Sequence, residues 1–200
     1  MKILLPILTI FILTSCAGWR LEQTEKVGTF PSLLNSGTTQ KLKVALNVLS
    51  YDHFYNGELK QSSLTETKKQ EQIDSILQVY RDSDLFIFDK KNPDLFIDLE
   101  IKSEGSGSLN RVILTYATFF LIPSSSETKF SVKAVFKRAN GEVIGEITKI
   151  DTVEKWQQLF LIFAMPFKYP YVALKDTLVD LNRAVIMEAF RDDYFREAID

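Results

Sequence analysis

The sequence predicts an α/β (α+β) fold with a single small sheet, mixed or antiparallel, of about five strands and with helices packed on one face. Three observations carry that prediction. Residues 41–50 and 95–102 alternate apolar and polar side chains with the period of a half-buried strand. Residues 65–81 and 171–191 repeat apolar side chains at helical spacing. Asn140-Gly141 separates two further strand-like runs, where a tight hairpin needs residues that accept positive φ.

Taken in order, the first strand sets Leu42, Val44, Leu46 and Val48 against Lys41, Lys43, Ala45 and Asn47. A polar loop over 52–63 follows, holding His53, Asn56 and Gly57. Ser63 and Glu66 have capping-box spacing, and Ile73, Ile76, Leu77 and Tyr80 share one helical face. Residues 85–88 form a short apolar strand, and Asn92-Pro93-Asp94 a turn. Next comes the cleanest alternation, Leu95, Ile97, Leu99 and Ile101 against Phe96, Asp98, Glu100 and Lys102. Runs 130–137 and 142–150 make the hairpin. In the last helix Leu174, Leu178, Leu181 and Val185 form a stripe that Val172, Val179 and Ile186 widen.

Composition narrows the function classes. The chain has 200 residues, 24 Lys+Arg against 26 Asp+Glu, one His and one Cys. That balance offers no basic face for nucleic acid. One cysteine cannot make an internal disulfide or a Cys-rich zinc site, and one histidine cannot build a multi-His metal centre. No metal and no cofactor is expected.

The N-terminus gives the address. Lys2 precedes an apolar stretch over 3–13 that Pro6 interrupts, the n-region and h-region of a secretory signal and too short for a membrane span. Leu13-Thr14-Ser15-Cys16 then resembles the lipobox of bacterial lipoproteins, an aliphatic residue and two small ones before the acylated cysteine. The resemblance implies cleavage before Cys16 and a diacylglyceryl group on its sulfur. Residues 1–15 are therefore expected as signal peptide and 16–40 as lipidated cysteine plus flexible tether, of roughly 27 Å coil span. The single α/β domain would occupy 41–200. Ala17, rather than aspartate, follows the cysteine, which implies an outer-membrane address facing the periplasm.

A second resemblance lies in the element order. Strand, helix, short strand, the run beginning Asn92-Pro93-Asp94, and the Asn140-Gly141 hairpin are similar to envelope α/β domains. These are the TolB amino-terminal domain and the lipopolysaccharide-assembly and curli-secretion lipoproteins, whose central strand likewise starts after an aspartate, here Asp94. The resemblance implies a non-enzymatic protein that binds or assembles another envelope protein or lipid.

Two segments, 112–123 and 159–167, are apolar on every side and each runs up to or just past a proline. One reading buries both in the core against each other. The other makes them a membrane-inserting, oligomerising or partner-binding surface, with Phe119, Phe120, Trp156, Phe160, Phe163 and Phe167 as its candidate residues and Trp156, Tyr169 and Tyr171 as interfacial aromatics. The remaining signals for chemistry are weak. Gly105-Ser106-Gly107 lacks the Lys and third glycine of a phosphate cradle and reads as a flexible loop. His53 beside Asp52 reads as a surface histidine, because neighbours point apart. Asp82-Ser83-Asp84 opens like a calcium loop but runs straight into Leu85-Phe86-Ile87.

Overall fold

The computed structural model describes residues 16–27, 30, 41–60, 66–163 and 167–198. Its strands are β1 (Cys16–Arg20), β2 (Leu42–Tyr55), β3 (Glu58–Leu59), β4 (Phe86–Phe88), β5 (Leu95–Gly107), β6 (Ser124–Arg138) and β7 (Val143–Gln157). Its helices are α1 (Glu66–Asp82), α2 (Leu109–Ala117), α3 (Pro170–Arg191) and α4 (Tyr194–Glu197), with a 3-10 turn at Leu159–Phe163. All seven strands join one sheet in the order β1-β7-β6-β5-β2-β3, with β4 beside the start of β2. β2 runs parallel to β4 and β5, and the other pairs are antiparallel. Parallel neighbours need a crossover, and α1 supplies it between β2 and β4.

The alternation read from the sequence sorts the two faces. Val44 and Leu46 of β2, Leu95 to Ile101 at every second position of β5, Phe130, Val132, Ala134 and Phe136 of β6, and Ile147 and Val153 of β7 face the helices. Ile76, Val79 and Tyr80 of α1 and Leu178, Leu181, Val185, Ile186 and Ala189 of α3 close over them. The opposite face meets water and is laced by charge pairs, Lys133 with Glu146 at 2.9 Å and Lys137 with Asp98 at 2.7 Å. Burial works to raise the Asp98 carboxyl, but hydrogen bonds from Lys137 and Asn47 outweigh it and hold it below the ordinary value.

Three expectations change. The sheet has seven strands rather than about five, because β1 and the two-residue β3 join those that the alternation marks. The polar loop over 52–63 is a hairpin as far as Lys60: Asn56 and Gly57 both have positive φ, +50° and +83°, and join β2 to β3. Ser63 of the capping box lies outside the described residues, as do residues 1–15 and 31–40.

The third change is at the tether. Cys16–Arg20 is an edge strand paired with β7, and residues 21–24 continue along that strand through bonds to Thr152, Asp151 and Ile150. Gly18 is needed there, since a Cβ would sit 2.9 Å from the Pro170 Cα of α3. The Arg20 guanidinium is buried between Asp151 of β7, at 2.5 Å, and Asp180 of α3. The Thr24 hydroxyl donates to the Ile150 carbonyl at 2.7 Å. A coil would make none of these bonds.

Candidate functional site

Cys16 opens β1 opposite Gln157, the last residue of β7, and Gln157 in turn faces Ser124 at the start of β6. β5 finishes alongside, with Gly107 opposite Ser126. One end of the sheet therefore holds Cys16 and sends out both apolar segments. α2 and residues 118–123 bridge β5 to β6, and the 3-10 turn leaves β7. The Cys16 side chain is half-buried, and burial pushes its thiol up against the opposing pull of Lys155 and a hydrogen bond with Gln157.

α2 is turned inside out. Ser108 caps its first turn by accepting from the Arg111 N–H. Its inward side carries Val112, Thr115 and Thr118, while Leu109, Ile113, Leu114 and Tyr116 are exposed, Ile113 at 57%. The inward hydroxyls are satisfied within the helix, Thr115 donating to the Arg111 carbonyl and Thr118 to the Leu114 carbonyl, each at 2.9 Å.

The helix ends in a Schellman cap: the Phe120 N–H donates to the Thr115 carbonyl at 2.7 Å and the Phe119 N–H to that of Tyr116 at 3.1 Å. The left-handed position of such a cap usually holds glycine. Here Phe119 takes it with φ +51°, and Phe120 follows at +63°. A side chain in that region costs about 1–2 kcal/mol per residue. Three contacts hold the pair. The Phe120 ring meets Tyr116 edge-on at 5.0 Å, its carbonyl accepts from the Leu159 N–H at 3.0 Å, and the Ile122 N–H donates to the Thr118 hydroxyl at 3.2 Å. The outcome is a split pair, Phe120 inward at 6% exposure and Phe119 outward at 70%.

The mutual burial of the two segments is thus corrected. They touch through the Leu159–Phe120 bond, but among the described side chains Ile113, Leu114, Phe119, Leu121, Ile122, Phe160 and Phe167 are exposed, because the end of a sheet offers one layer to pack on. Of the candidate residues, Phe119, Phe160 and Phe167 are exposed, Phe167 at 84%, and Phe120 is buried. Trp156 is half-buried on the open face, opposite Ala17 and Ser125. Phe163 belongs to the 3-10 turn, and its side chain lies outside the described residues. Leu109, Ile113, Leu114, Leu121 and Ile122 share this surface, although an all-round apolar run does not mark them individually. A helical plot with threonines inward would have found Leu109, Ile113 and Leu114, while Leu121 and Ile122 lie beyond the end of α2.

The other candidates disperse. His53 sits on β2 and points to the helix side, with Nδ1 2.7 Å from the Ser103 hydroxyl, while Asp52 points to the open face. Ser103 is buried, at 2% exposure. Burial lowers the His53 pKa. Ser83 is buried and donates to the Tyr80 carbonyl, and Asp84 pairs with Lys41. Gly105 and Gly107 continue β5 rather than forming a loop, and they leave room for the Tyr55 ring. Between α1 and α3 lies a groove of about 840 Å³ that Glu71, Asp74, Lys175 and Arg183 line with Phe30. Among the described residues no cluster of His, Cys, Asp and Glu could hold a metal, and no helix is long and apolar enough to cross a membrane.

No protein-family model matches the chain, and no curated protein matches it. Among solved structures it is similar to a PelC dodecamer from Paraburkholderia phytofirmans, with 9% identity over 82% of this chain and 97% of that one. The TM-score is 0.26, a likeness too slight to carry an argument.

Proposed function

We propose that this chain is a lipid-anchored, non-enzymatic protein of the bacterial envelope, acylated at Cys16 and held at the outer membrane on its periplasmic side. Its α/β domain binds or assembles another envelope protein or lipid. One observation supports the reading above the rest: the residue that the lipobox marks lies in an edge strand at the apolar end of the sheet. Acyl chains on the Cys16 sulfur, at about 0.8 kcal/mol per buried methylene, hold firmly when more than one is present. They would leave the domain where the exposed side chains of α2 and of residues 118–122 already cluster.

The test is Cys16→Ala in cells fed a labelled fatty acid. The variant is expected to accumulate as uncleaved precursor without label, while the parent is processed and labelled. Normal labelling of the variant defeats the anchor. The burial of Ser103, the hydroxyl that His53 contacts, supports the non-enzymatic reading.

A further inference from the structure

Resting on that anchored reading, we propose that the apolar end of the domain is itself a lipid-binding surface. α2 and the Phe119 turn, with Phe160 and Phe167, lie at the boundary between headgroups and acyl chains of the bilayer that holds Cys16. Among the described residues nineteen large hydrophobic side chains are exposed, and nine of them fall in α2, in 119–122 or at Phe160 and Phe167. That concentration is a patch rather than the scatter ordinary surfaces show.

Charge selects the occupant. Residues 108–123 and 158–169 contain no Asp or Glu in a chain with 26 acidic residues, and their only charges are Arg111 and Lys168. A basic, apolar end suits anionic headgroups over acyl chains. Tyr116 stands exposed on this surface with a polar tip on an apolar ring, as interfacial residues do. Continuity with the anchor supplies the rest. Acyl chains at Cys16 raise the local concentration of bilayer at this end, so weak partitioning suffices to engage it. Affinity already comes from the anchor, and the surface adds orientation, because two attachments stop the domain from swinging about Cys16.

The Phe119 turn is built for display. A left-handed phenylalanine aimed outward beside the anchored Phe120 is strain retained at a surface where it fills no core.

The experiment uses the acylated protein in phosphatidylethanolamine–phosphatidylglycerol vesicles. Mass spectrometry first confirms the acyl group on Cys16, and its absence there would end the anchored reading independently. Acylation occupies the native thiol, so Ile113→Cys, Phe119→Cys and Asn140→Cys each take one environment-sensitive fluorophore. Nitroxide groups on lipid acyl chains should remove more than half the emission at 113 and 119, and almost none at 140, in the hairpin at the far end. Equal, weak quenching at all three overturns the proposal. So does density-dependent self-quenching at 113 and 119 without lipid quenching, which would assign the surface to a second copy of the chain. Phe119→Gly combined with Ile113→Cys keeps the test clear of misfolding. It should melt no lower than Ile113→Cys alone and show at least a halved quench. A lower melt with unchanged quenching would remove Phe119 from the surface.

Discussion

Replacing Arg20 with leucine asks whether the segment after Cys16 belongs to the fold. The guanidinium reaches Asp151 at 2.5 Å and Asp180, and donates to the Thr24 carbonyl at 3.1 Å. Asp151 is fully buried. Leucine keeps part of the stem's packing but removes the cation, and leaving one member of a buried pair alone costs about 3–5 kcal/mol. Two features place the change at the low end. Asp151 keeps N–H bonds from Gln23 at 3.2 Å and Thr152 at 2.7 Å. Asp180 is partly exposed and keeps Arg183 at 3.7 Å. The expected loss is therefore about 3 kcal/mol of a total near 5–15, which lowers Tm by roughly 6–12 °C in a domain of this size. Tryptophan fluorescence is the natural readout, since Trp19 lies in β1 and Trp156 opposes Ala17 from β7. Asp180→Asn should cost less than Arg20→Leu, because its carboxylate is the more exposed of the two. If Arg20→Leu melts within about 1 °C of the parent, the strand is not docked and the tether returns.

Gly145→Ala drives a Cβ into the Tyr194 ring, well inside contact distance, and the ring must swing away from Phe136. The cost is about 1–3 kcal/mol by urea unfolding, and a Tyr194→Ala background should cancel most of it. Simple additivity of the two changes would refute the contact. Burial depresses the folded His53 pKa, so the unfolded chain takes its proton first as pH falls. Stability present above about pH 6.5 is lost from there down to the folded pKa and is level below it. Urea midpoints at neutral and mildly acidic pH should show that loss in the parent and less of it in His53→Gln; an unchanged slope in the variant sinks the assignment.

How far the sequence foretold this molecule depended on whether the deciding contacts were local. β5 alternates without interruption, and its helix-facing residues are the ones the period selects. The same holds for the stripe of α3. β1 was hidden because its five residues include Gly18 and pair with a strand more than 130 positions away. Nothing near Gly18 announces that Pro170 will lie against it. Asn56-Gly57 is a different case, since the signal for a two-residue turn stood in plain view and the polar residues around it drew attention to a loop. Gly105 and Gly107 invited the opposite error. They read as flexibility, whereas their missing side chains admit Tyr55 over a continuing strand.

The apolar end shows where periodicity stops deciding. A segment apolar on all sides is compatible with burial and with display, and the neighbours choose between them. At the end of the sheet α2 has one layer to meet, and it turns threonines toward that layer. Thr115 and Thr118 donate to carbonyls of their own helix and need no water, so they lie inward without an orphaned hydroxyl. Leucine or isoleucine in their places would gain roughly 1.5–3 kcal/mol each by burial, and the outward positions forgo a similar gain. Phe119 adds its left-handed backbone to that cost. Taken alone, the fold would be steadier with the helix rotated or with glycine at 119. The arrangement makes sense when the outward face has an apolar medium to enter, which the acylation proposed for Cys16 would bring to that end. It follows that Phe119→Gly should move two measurements in opposite directions, stability upward and lipid contact downward.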